Sequence, residues 1–250
     1  VEMIARSANP GLNKKTFSQV RDFVQRDNLM TLQGTVNKTG IMLFLALVSA
    51  MWVWRQFFVF ESPQISLYLW GGAIGGFIAA MVAIFKPTTA PIVAPIYALL
   101  EGLFLGGISS IMEARFPGIV IQAVGLTFGT LFALLFAYKS GLIKATENFK
   151  LGVTAATGGI FMMYMVSFIL GFFGMNVPFI HGNGIMGIGI SGFIVVIAAL
   201  NLVLDFDFIE HGVEQGAPKF MEWRAALGLM ITLVWLYIEI LHLLSKLRSR

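Results

Sequence analysis

The chain has 250 residues, 57% of them hydrophobic and 12% charged, about half the charged share of a soluble domain. An ordinary soluble domain of this length has too little interior to hide so much apolar side chain. Cysteine is absent, which excludes a disulfide framework, a thiolate metal site and a cysteine nucleophile, and the net charge of +4 sits at segment ends instead of in one nucleic-acid-binding patch.

In chain order, residues 1–39 are polar and form a cytoplasmic N-terminal segment, and the first apolar run begins too late for a secretory signal peptide. Within it, residues 13–26 (NKKTFSQVRDFVQR) place Phe17, Val20, Phe23 and Val24 on one helical face among Lys14, Lys15, Arg21 and Arg26. That pattern suits an amphipathic helix on a membrane surface, or a partly ordered tail. Residues 40–250 form the membrane domain. A bilayer core of ~30 Å needs about 20 helical residues, and residues 62–85 and 116–138 contain no Asp, Glu, Lys or Arg. Residues 151–204 are also free of these charges but are too long for one span, and turn-forming residues near Gly174–Pro178 and His181–Gly184 divide them. The expected spans are 40–60, 66–85, 91–112, 118–139, 152–174, 185–209 and 224–246, giving an all-α protein with seven transmembrane helices.

Orientation follows from the cations. With the N-terminus inside, the inner side collects Arg6, Lys14, Lys15, Arg21, Arg26, Lys38, Lys86, Lys139, Lys144, Lys150, Lys219 and Arg224. The outer side has Arg55, Arg115, Lys246, Arg248 and Arg250. The basic tail fits this scheme poorly, so the last helix either spans completely or re-enters. Gly71/Gly75, Gly72/Gly76, Gly102/Gly106 and Gly125/Gly129 repeat the small-xxx-small spacing of closely packed membrane helices.

Several motif matches carry no chemistry. Two overlapping G-x-G-x-x-G matches over 182–192 lie between membrane spans, where a dinucleotide fold needs a strand and an aqueous βαβ unit. Asn37-Lys38-Thr39 fits a glycosylation triplet but abuts the membrane on the inner side. His211 and Glu214 are too few for a metal centre. No catalytic residue, cofactor or resident metal is assigned, and the chain reads as a non-enzyme.

The informative residues are acids inside apolar helices. Glu101 lies in PIYALLEGLFLGGIS, Glu239 in LVWLYIEILHLL, and Asp205 in AALNLVLDFDFIEHG with Asp207 two residues on. An uncompensated charge at mid-span costs about 2.5–3.5 kcal/mol on insertion scales, so such residues need a partner or a task. Thr232, Trp235, Glu239, His242 and Lys246 form one stripe along span seven, and Asn201 shares a face with Asp205 on span six. Two carboxyls in one low-dielectric site cannot both ionise cheaply and can share a proton, and ionised they could bind a divalent cation through oxygen. Counting along a simple hairpin, however, sets Asp205 roughly 10 Å and Glu239 roughly 22 Å from the turn. Pairing them requires the connecting segment to dip or a helix to be broken or displaced.

At YALLEGLFLGGIS (97–109), NLVLDFDFI (201–209) and LYIEILHLL (236–244) the chain resembles the transmembrane Bax-inhibitor motif family, and NPGLN with MTLQGTVNKTG resembles its longer bacterial branch. Bacterial members are proton-sensitive calcium leak proteins. The resemblance implies two three-helix layers around a central seventh helix, and a carboxylate pair between helices six and seven matching Asp205 and Glu239. This sequence departs from that pattern in having Glu at 239, a longer loop between the pair, and no basic residue in span two to latch Asp205. The implied function is a proton-regulated cation leak channel or exchanger of a bacterial inner membrane. Calcium would bind transiently at Asp205 and Glu239, with Glu101, His242, Asn201 and Asp207 as modulators. The rival is a non-transporting membrane protein that regulates a membrane protease or a stress or cell-death pathway.

Overall fold

A computed structural model of the chain describes residues 28–61, 63–174, 182 and 184–249. The amphipathic stretch 13–26 lies outside the described residues. Among those described, seven long helices follow one another: α1 (Leu32–Phe58), α2 (Ile65–Phe85), α3 (Ala90–Arg115), α4 (Ile119–Lys139), α5 (Glu147–Phe172), α6 (Ile185–Glu214) and α7 (Met221–Arg248). Each is long and apolar enough to cross a bilayer. The protein is an all-α membrane protein.

The first helix begins eight residues before the apolar run that announced it. Thr31 caps it, its hydroxyl accepting the Gly34 N–H at 3.0 Å, and the polar turns that follow bury Thr35 and Thr39. Residues 32–39 are therefore helical and continuous with the first span. Asn37-Lys38-Thr39 lies inside this helix, with Asn37 accepting from Gln33 at 2.9 Å. At the other end, α7 is unbroken over 28 residues, about 42 Å at 1.5 Å per residue, which answers the re-entrant alternative. Its terminal cations are not stranded. Lys246 donates to Ser191 Oγ at 2.7 Å and Gly187 O at 3.3 Å, and Arg248 donates to the Phe116 and Pro117 carbonyls and to Gln122.

Helix α7 is the centre of the bundle. One side packs on α1 and α3, with α2 against α3; the other packs on α4 and α6, with α5 against α6. Ala226, Leu227, Leu236 and Leu241 are wholly enclosed between the two groups. In the first group, glycine sets the spacing. A Cβ at Gly102 would overlap Ser49 and the Ala46 backbone of α1, and one at Gly106 would lie 2.7 Å from Ala50 O. Gly72 makes the same kind of approach between α2 and α3, a Cβ there lying 2.5 Å from Leu100 O, and one at Gly76 would meet the Glu101 carboxyl, whereas Gly125 and Gly129 face open space and hold nothing close. The expected role of that last pair in helix packing is thus not met. Gly102→Ala should lower stability by about 1–3 kcal/mol, because the backbone it strikes cannot yield as a side chain would. Gly125→Ala should be neutral or slightly stabilising; thermal unfolding in detergent would separate the two.

Candidate ion and proton site

Helices α6 and α7 form an antiparallel hairpin whose turn, near Gly216, is pinned by residue Leu29 pairing with Pro218. Two contacts define its register. Lys246 meets Ser191, and the Thr232 hydroxyl is what α7 presents to the Asp205 carboxyl, beside Gly228. Seven residues inward from either contact bring Ala198 level with Glu239. Asp205 and Glu239 therefore sit two helical turns apart, about 10 Å along the axis.

Their surroundings differ. Glu239 is 4% exposed, and its Oε1 accepts the Tyr164 hydroxyl of α5 at 2.8 Å and the Trp235 indole N–H at 3.2 Å. Asp205 Oδ2 is buried without a hydrogen-bond partner. The two carboxyls, expected within direct or one-water hydrogen-bonding reach, make no hydrogen bond to each other. The cause is the one hairpin counting exposes: a short turn and two straight helices keep the register, so neither acid can slide to the other's depth.

The other candidates fall into three places. Asn201 lies between the acids in depth, its amide donating to Thr157 Oγ1 of α5 and to Ile197 O, both at 2.8 Å. Asp207 closes the end nearer the α1 N-terminus, pairing with Lys150 of α5 at 2.8 Å and with His211 at 3.5 Å. His242 is half-buried on the α7 stripe between Glu239 and Lys246. Glu101 stands apart. It is 8% exposed on the α3 side, with Oε2 against Gly76 of α2. The seam of α5, α6 and α7 thus carries polar side chains in sequence: Lys246 with Ser191, His242, Glu239 with Tyr164, Asn201 with Thr157, Asp205 with Thr232, and Asp207 with Lys150.

Two buried polar contacts escaped sequence reasoning. Tyr164 sits in a Met- and Phe-rich run, and its spacing of seven from Thr157 and fourteen from Lys150 is the local sign that one face turns inward. Glu222 is 1% exposed at the start of α7, where it resembles an ordinary helix-start acid. It bonds Lys38 and accepts the Thr31 N–H and hydroxyl at 2.9 and 2.8 Å.

Residues 9–249 match the family model described as Bax inhibitor 1 like. The chain belongs to the Bax inhibitor 1-like family. No curated protein and no solved structure matches it. The Bax inhibitor 1-like match covers all seven helices, so the polar seam and the α1–α3 group lie within one family unit.

Proposed function

We propose that the protein is a proton-regulated cation leak path, with calcium as the principal cargo, running along the α5–α6–α7 seam. The observation that carries this reading is the Asp205 carboxyl, buried mid-helix with one oxygen unpartnered. A carboxylate so placed has its charge met by a proton or by a cation. Exchange between those two occupants is the regulated event, with Asp205 as gate and transient ligand. Glu239 is the second carboxyl station, held by Tyr164 and Trp235. Asn201, His242 and Asp207 line the approach; Glu101, on the other side of α7, acts on helix packing. A channel and a cation–proton exchanger share these stations. The cation bias of the loops supports a cytoplasmic N-terminus, and the host membrane in this reading is a bacterial inner membrane.

The test is flux into dye-loaded liposomes containing purified protein, over a series from about pH 5 to 8. Calcium entry with a titration step supports the proposal. Absence of cation flux at every pH and in both orientations favours the non-transporting regulator.

A further inference from the structure

On the face of α7 opposite the seam, α1 and α4 both pack on α7 but do not touch one another. Between them lies a cavity of about 450 Å³, with α3 contributing to its wall. Phe44, Leu47 and Met51 of α1 and Phe128 of α4 form its rim, and Leu233 and Tyr237 of α7 its floor. The rim is open, Phe44 being 64% and Met51 52% exposed. It lies in the half of the bundle remote from the α1 N-terminus, where Trp54 also lines it.

We infer that this cavity is a binding slot for one acyl chain of a bilayer lipid. Three observations select that occupant. The hydroxyls within it are already committed: Ser109 Oγ and the Tyr237 hydroxyl bond each other at 2.7 Å, and Thr127 Oγ1 donates to Ala123 O at 2.8 Å. Nothing there calls for a polar ligand, and an apolar cavity of this kind does not hold water. The rim opens sideways from transmembrane helices, so the material against it is lipid tail. The volume excludes a protein helix, about 10–12 Å across with its side chains, but falls in the range of roughly 300–1,000 Å³ that suits small flexible ligands.

The advantage over bulk lipid is not hydrophobic, since a tail elsewhere in the bilayer is equally dry. It comes from packing. A void forfeits the dispersion contacts of every side chain lining it, and a chain seated between α1, α4 and α7 restores them. The occupant would bridge the two halves of the bundle at Tyr237, on the back of the helix that carries Glu239.

The experiment uses the full chain in lipid nanodiscs containing a phospholipid with a photoreactive diazirine in its acyl chain. After illumination, adducts are mapped by mass spectrometry. The expected result is that labelling of α1 residues 44–54 and α4 residues 120–128 exceeds that of the equally exposed α2 surface around Leu67, Trp70 and Phe77 by about tenfold, equivalent to about 1.4 kcal/mol of preference. Ala50→Trp and Val124→Trp fill the slot from opposite walls. Each should remove the excess while leaving α2 labelling unchanged, so failure of one variant to fold leaves the other as the test. Adducts spread evenly over α1, α2 and α4 would overturn the inference. So would an excess that survives both filling variants, or cross-links joining α1 of one copy to α4 of another in place of lipid adducts.

Discussion

Asp205→Asn should lower calcium flux by about tenfold at the pH where the wild type is fastest, the effect of losing about 1.4 kcal/mol of cation stabilisation, and should leave the residual flux flat with pH. The substitution keeps the shape of the side chain beside Gly228 and Thr232 while removing the only atom there that exchanges a proton. Glu239→Gln should behave differently. Its carboxyl lies about 10 Å from Asp205 along the helix axis, and at an effective dielectric of about 20 two charges at that distance interact by about 1.7 kcal/mol. That is near the threshold at which titrations merge. The Glu239 variant should therefore retain a proton-dependent step with a displaced midpoint, whereas a hydrogen-bonded pair would lose the same step on either change. Flux measured against pH for both variants and their double decides between these pictures. A flat profile for Glu239→Gln alone would restore the direct pair.

Lys38→Met should cost about 3–5 kcal/mol, towards the lower end because Lys38 keeps some access to water. Glu222 is enclosed, and Lys38 is the cation that meets its charge. Without Lys38, the Thr31 N–H and hydroxyl remain, and two neutral donors do not replace an ammonium in a buried site. The carboxylate also stands in the first turn of α7, where the helix dipole favours negative charge. The site ties the start of α1 to the start of α7, reinforced by the Met30 N–H to Ala217 O bond at 2.7 Å and the Lys219 N–H to Asn28 O bond at 2.8 Å. Gly34 is part of the same lock, since any Cβ there would strike the Glu222 carboxyl. Thermal unfolding should show a large drop for Lys38→Met and partial recovery for Lys38→Met/Glu222→Met, which removes the stranded charge. An unchanged melting temperature for the single variant would mean that the pair contributes nothing. Neither change touches the polar stripe of α7.

The helices were legible because a bilayer demands long charge-free runs, and residues 62–85, 116–138 and 151–204 satisfy that demand almost without interpretation. Boundaries were less so. The start of α1 depends on Thr31 and on Lys38 meeting an acid 184 residues away, and no local pattern signals such a partner. The depth mismatch of Asp205 and Glu239 could be counted from the hairpin; that Tyr164 would take one of the freed positions could not, because the Lys150, Thr157 and Tyr164 spacing on α5 does not say which helix faces it. The glycine repeats show the same limit. Gly102/Gly106 and Gly125/Gly129 have identical spacing, but only the first pair has a neighbour. Spacing describes a helix surface and not what faces it. The basic tail likewise looked misplaced until Ser191, Gln122 and the carbonyls of Gly187, Phe116 and Pro117 were seen to receive it.

The claim that ions follow the α5–α6–α7 seam has a direct measurement, made easier because the chain contains no cysteine. Ala198 is fully enclosed and level with Glu239, and Ala94 is equally enclosed on the α1–α3 side. A single cysteine at either position is exposed to a small charged thiol reagent while calcium flux runs in liposomes. The account predicts that Ala198→Cys is modified only under conducting conditions and that flux then stops, while Ala94→Cys stays unmodified and conducts throughout. Flux that continues undiminished with Ala198→Cys either untouched or fully modified would place the path elsewhere.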